Sequence, residues 1–204
     1  MTVSDCTEAM TRRGVIAAAA AFAAFPRVAL ADAVSQATGL VTAIAGELTK
    51  MVRSGRSVTQ VTKDFERVLA KYGDMPAVAA ASLGQPWRSA SNAQKQAYVG
   101  AFQRYLATKY GRQFHEYKNA SMSVTGARDA GKKGVLVNTV VARPGQENIG
   151  VDWQVSARSG SPKAVNLWIE GVSLLANERA EIGAMFDAAG GSIDALIAEL
   201  RKRS

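Results

Sequence analysis

The chain has 204 residues, room for one domain and little more. Apolar side chains make up 48% and charged ones 21%, which excludes a disordered or low-complexity chain. The formal charge of +8 suits nucleic acid, an anionic membrane surface or an acidic partner, and does not choose among them.

The N-terminus has the three parts of an export signal. Arg12-Arg13 precede the apolar run 17–25, and Val28-Ala29-Leu30-Ala31 supplies a small-x-small cleavage site. Paired arginines before an Ala-rich stretch point to the twin-arginine route. Residues 1–31 are therefore predicted as a signal, with Ala33 the alternative cleavage point, and residues 32–204 as the mature domain. An uncleaved membrane anchor is the competing reading. Against it, the run falls short of the ~20 residues a span needs. Cleavage after Ala31 leaves 22 basic against 15 acidic residues, a net +7. It also removes Cys6, the only cysteine, and with it any disulfide, thiol nucleophile or cysteine metal site.

Helices fill the first half. Leu40, Ile44, Leu48 and Val52 recur at helical spacing over Val34 to about Arg53, and Ser54-Gly55 breaks the run. Ser57 caps a second helix to about Tyr72. Asp74 caps a short third one, with Pro76 in its first turn and Gly84 as its stop. Gln85-Pro86-Trp87 reads as a loop, with Trp87 anchoring it against the helices. Ser91 and Gln94 form a capping-box pattern that opens a long aromatic helix to about Tyr117.

After Asn119 the period changes to two. Strands are predicted from Met122, over Val135–Val141, over Ile149–Val155 and over Val165–Ile169, separated by Gly131–Gly134, Pro144-Gly145 and Ser159–Pro162. Short turns between alternating strands imply an antiparallel meander of four. Two helices close the chain, about Leu174 to Ala188 and from Ser192 to Arg203, divided by Gly190-Gly191. The predicted fold is α+β: N-terminal helices, a four-stranded meander and C-terminal helices, with the long helix across the apolar side of the sheet.

Catalytic signatures are missing. His115, the single histidine, has no second ligand at helical spacing and reads as a surface or packing residue. No G-x-S-x-G, P-loop or G-x-G-x-x-G occurs. Asp152, Glu170, Glu178 and Glu181 are the carboxylates from which an acid–base pair would be assembled, and their spacing reads as solvated faces. No metal site, cofactor or catalytic residue is predicted. The basic residues are scattered rather than clustered with aromatics, so nucleic acid is not expected. Contact with anionic lipid or an acidic membrane-bound partner fits an exported protein, as does a merely basic surface.

From about Phe65 to Ile197 the sequence resembles the MlaC-like, toluene-tolerance periplasmic phospholipid-binding proteins. The resemblance rests on Leu83-Gly84 with Trp87-Arg88; on Ser91, Gln94, Phe102, Leu106 and Tyr110; on Arg143-Pro144-Gly145; on Ile149-Gly150-Val151-Asp152-Trp153; and on Ile169-Glu170-Gly171-Val172-Ser173-Leu174 followed by Asn177 and Arg179. It departs from the family where Trp153 stands for the usual Tyr, Asn166 for Asp, and Glu178 and Ile182 for Tyr and Phe. The resemblance implies a periplasmic shuttle, not an enzyme. Its cargo is phospholipid held in an apolar cavity between sheet and helices, with hopanoid or another polycyclic lipid the alternative. Its partners are an inner-membrane MCE/ABC transporter assembly and an outer-membrane lipoprotein–porin complex. Two acyl tails carry about 30 CH₂ groups, so at ~0.8 kcal/mol each their exposure costs over 20 kcal/mol and a sheltering cavity is obligatory. The candidate lipid-binding residues are Val137, Val141, Val151, Trp153, Val155, Leu167 and Ile169 from the sheet. Phe102, Tyr105, Leu106 and Phe114 join them from the long helix. Arg88, Arg143 and Asn166 are headgroup candidates.

Overall fold

The computed structural model describes residues 25–114, 117 and 119–204. The predicted signal up to residue 24, and His115, lie outside the described residues. Four helices, α1 (Phe25–Val52), α2 (Val58–Tyr72), α3 (Met75–Leu83) and the single turn α4 (Pro86–Ser89), lead to the long α5 (Asn92–Phe114). Five strands follow: β1 (Ser121–Asp129), β2 (Val135–Ala142), β3 (Ile149–Ser156), β4 (Lys163–Ile169) and β5 (Val172–Ser173). The chain ends in α6 (Leu174–Ala188) and α7 (Ile193–Lys202). No helix among the described residues is long and apolar enough to cross a membrane.

The polar signals punctuate the helices where they were expected. Ser57 and Gln60 form a reciprocal capping box at the start of α2. The Ala77 N–H donates to Asp74 at α3 (3.1 Å). At α5 the Ser91 N–H donates to Gln94 Oε1 (3.0 Å) and the Gln94 N–H donates back to Ser91 Oγ (3.2 Å). Each cap satisfies helix-end donors that would otherwise lack partners. Pro86, expected in a loop, instead starts α4, because proline's fixed φ suits a first helical turn. The first helix already includes Phe25, well ahead of the expected Val34, and it runs through the predicted cleavage point.

The sheet order is β1-β2-β3-β4-β5, every pair antiparallel. It has five strands, not the four predicted. Glu170 and Gly171 take φ of 49° and 78°, forming a two-residue hairpin turn that pairs Ile169 with Val172. A turn with two positive φ angles matches the twist of antiparallel strands. The strand that it adds is two residues long, too short to show alternation.

The predicted placement of the long helix also needs correction. The helix across the apolar face is α1, packed on β1 and β2. Its stripe Ala37, Val41, Ile44, Leu48 and Met51 is buried against Val135, Val137, Val151, Trp153 and Val155. Ala37, within that cluster, allows the helix to approach the strands closely. The aromatic face of α5 instead meets α3, α6 and α7, where Tyr98, Phe102 and Tyr105 pack with Ile182, Met185, Leu196 and Leu200. Tyr98 and Phe102 stack at 5.6 Å between ring centroids, and Trp87 meets Tyr98 edge-on at 6.3 Å. There are thus two packed cores, one of sheet with α1 and α2, one of helices. They join where α2 lies along α5. At that contact a Cβ on Gly111 would stand 2.8 Å from Thr62 Oγ1 and 3.0 Å from its Cα, closer than a side chain tolerates.

Candidate functional site

The seam between the two cores is not filled. Two adjoining pockets occupy it, with about 810 and 1030 Å³ of empty space counted out to their mouths. Leu48, Phe65, Leu69, Leu106, Phe114, Trp153, Leu167 and Leu174 belong to both walls, so the pockets share a partition. The first extends toward Val68, Met75, Val165, Asn166, Leu175 and Glu178. The second extends toward Tyr117, Met122, Val141, Ile149, Val151 and Ile169. The walls of both are overwhelmingly hydrocarbon.

Trp153 is the hinge of the partition. It is 7% exposed, and its indole N–H donates to Thr139 Oγ1 (3.1 Å), whose hydroxyl donates to the Val151 carbonyl (2.8 Å). This relay satisfies the one polar atom of the indole and leaves its ring as apolar wall. Phe65 and Phe114 close the helix side with ring centroids 4.7 Å apart. Leu167 opposes Trp153 in the β3–β4 register, and Ile169 opposes Val151.

Of the eleven apolar candidates, Leu106, Phe114, Val141, Val151, Trp153, Leu167 and Ile169 line the pockets. Val137 and Val155 are buried in the sheet core instead. Phe102 and Tyr105 sit in the helical core, because α5 turns its aromatic stripe away from the sheet. The polar candidates are scattered. Arg88 is exposed on α4. Arg143 donates twice to the Glu147 carbonyl (3.1 and 2.7 Å) and lies over the Tyr117 ring at 5.8 Å, beside the second pocket. Asn166 lines the first pocket and ties β4 to α6: its amide donates to Ser173 Oγ (3.1 Å), and its carbonyl accepts from the Leu175 N–H (3.1 Å). A β-bulge between Gln154 and Val155 in the β3–β4 register accompanies this arrangement.

The carboxylates were expected on solvated faces. Asp152 is half-buried and accepts from the Asn138 amide (2.6 Å), whereas the exposed Glu170, which accepts from the Gly150 N–H, conforms. Glu178 does not, since it is only 2% exposed. Its Oε1 accepts from Lys109 Nζ (2.7 Å) and from the Tyr110 hydroxyl, while Lys109 and Tyr105 also donate to Glu181. Burial disfavours the Lys109 charge, but the hydrogen bonds to Glu178 and Glu181 outweigh it and raise the pKa. Burial likewise pushes the Glu181 carboxyl up, and the bonds from Lys109 and Tyr105 bring it below the usual range. Tyr105 and Tyr110 are raised, by desolvation first and then by their carboxylate partners. Sequence spacing could not reveal this cluster, whose halves are 69 residues apart in the Lys109–Glu178 pair. Among the described residues no group of three or more His, Cys, Asp or Glu is placed to hold a metal ion.

Fold and site together define an α+β protein with an apolar hollow at the seam of sheet and helices. The family model for the MlaC protein matches residues 42–202, and the chain belongs to that family. Among solved structures it is similar to the phospholipid-binding protein from Ralstonia solanacearum, determined in complex with a phospholipid. The two share 18% sequence identity with a TM-score of 0.71, covering 82% of this chain and 96% of that one. At this identity the likeness establishes the fold.

Proposed function

We propose that this protein is an exported lipid carrier. It takes phospholipid hydrocarbon into the paired pockets and shuttles it through the periplasm between outer- and inner-membrane complexes, the latter an ABC assembly of the MCE type. The observation that carries this reading is the unfilled apolar seam in a member of the MlaC family. A phospholipid-bound structure with the same fold supports it. Carriage needs no reacting group. It needs a hollow whose hydrocarbon contacts match those of the membrane, so that transfer is nearly balanced in free energy. The wall residues Leu106, Phe114, Val141, Val151, Trp153, Leu167 and Ile169 make those contacts, and Arg143 stands at the second pocket for the headgroup. The twin-arginine leader places the carrier in the periplasm, cleaved after Ala31.

Native mass spectrometry of the protein purified from periplasm tests the reading. Co-purified phospholipid is the expected result, with Val151→Arg markedly depleted. Lipid-free protein that also fails to extract phospholipid from vesicles overturns it.

A further inference from the structure

Glu178 is a polar group in the apolar wall that carriage of plain hydrocarbon does not use. It lines the first pocket beside Leu106, Leu174 and Leu175, and its side chain is 3% exposed. One carboxylate oxygen, Oε1, has two donors, Lys109 and Tyr110; the other, Oε2, is buried and has no partner among the described residues. A buried acceptor without a donor is destabilising, so the arrangement is expected to be completed by something else. The neighbouring donors are already engaged: Lys109 binds both Glu178 and Glu181, Tyr105 donates to Glu181, and Tyr110 donates to Oε1.

The charge around Oε2 limits the missing donor. Glu178 and Glu181 face the Lys109 ammonium, and the other cation beside Glu181, Arg203, is itself paired with Glu199 (2.7 Å), so the carboxylates stay in excess and an anionic phosphate is repelled. An ammonium headgroup would have to shed its water among leucines, at a cost that a neutral hydroxyl largely avoids. We propose that the first pocket selects a lipid carrying a hydroxyl on its hydrocarbon part, which donates to Glu178 Oε2. This inference rests on the carrier reading and names the class of cargo within it.

The test measures uptake from vesicles by the intact mature protein, read by native mass spectrometry. Three probes are used: a phosphatidylcholine with a mid-chain hydroxyl, its unhydroxylated twin, and an unhydroxylated phosphatidylethanolamine. A hydrogen bond to a charged acceptor predicts a preference for the hydroxylated lipid of about tenfold or more. Glu178→Met should bring that preference, read as the ratio of the two phosphatidylcholines taken up by the same variant, to within about twofold. Glu178→Gln, which keeps the shape and an acceptor for Lys109, should weaken it several-fold if the Met variant does not fold. Equal uptake of both phosphatidylcholines by the wild type overturns the inference and leaves the carrier reading standing. A preference for phosphatidylethanolamine over its choline counterpart overturns the hydroxyl in favour of a headgroup donor. A preference that survives both substitutions removes Glu178 from the assignment. Uptake of none of the three probes defeats the carrier reading itself.

Discussion

Trp153→Glu places a carboxylate in the partition shared by both pockets, at a position 7% exposed. Thr139 keeps its bond to the Val151 carbonyl, so no new orphaned hydroxyl arises. The stability loss therefore comes from lost ring packing and a desolvated charge. Truncating a buried aromatic costs about 3–5 kcal/mol, and the lower end applies here because the ring already borders empty space. For lipid the effect is larger in ratio. If the carboxylate keeps three or four methylenes off the wall, at ~0.8 kcal/mol each, affinity falls by about 3 kcal/mol, over a hundredfold. Native mass spectrometry reads the occupancy, and circular dichroism verifies the fold. Trp153→Phe should stay within a few-fold of wild type. Ile169→Glu, at a rim position 39% exposed, should fold normally and lose less lipid. The Lys132→Ala change, in an exposed turn, should have no effect. Lipid recovery from Trp153→Glu equal to that from Lys132→Ala would refute the placement of the cavity wall.

Two further outcomes concern the frame around the hollow. Gly111→Ala drives a methyl into Thr62, and overpacking of about 1–3 kcal/mol exceeds the ~1 kcal/mol gained in helix propensity, so Tm should fall by several degrees in a calorimetric scan. An unchanged or higher Tm would mean that α2 and α5 separate freely. At alkaline pH, burial raises the phenols of Tyr98, Tyr105 and Tyr110 above their ordinary range. A raised folded-state pKa gives stability that is whole below the unfolded value, near 10, and is lost as pH climbs past it. Tyrosinate absorbance from these three should therefore appear together with loss of helical ellipticity; full ionisation of all five tyrosines in a still-folded protein would contradict their burial.

How far the sequence is legible depends on whether the determining contact is local. Ser57 with Gln60, Asp74, Ser91 with Gln94, and Ser192 mark helix starts because a cap is a contact between residues three apart, and each was found in place. The alternation of Val135–Val141 and Ile149–Val155 likewise reports a strand with one buried face. The stripe Tyr98, Phe102, Tyr105 reports that one side of α5 is covered, yet not by what. Periodicity is blind to the identity of the partner surface, and the helices α3, α6 and α7 provide it where the sheet was expected. The same limit hid Glu178. Taken alone, a glutamate on a helix looks solvated; only the fold brings Lys109 and Tyr110 to it. The strand β5 was missed because two residues cannot show a period.

Where a chamber lies on the boundary of two separately built masses, its width is a matter of alignment rather than of lining. The spacing of α2 from α5 is fixed where a lone hydrogen on Gly111 touches Thr62. That atom serves as a caliper. A larger residue at position 111 would push α2 from α5, and with them the walls that Phe65 and Leu69 on one helix and Leu106 and Phe114 on the other give to both hollows.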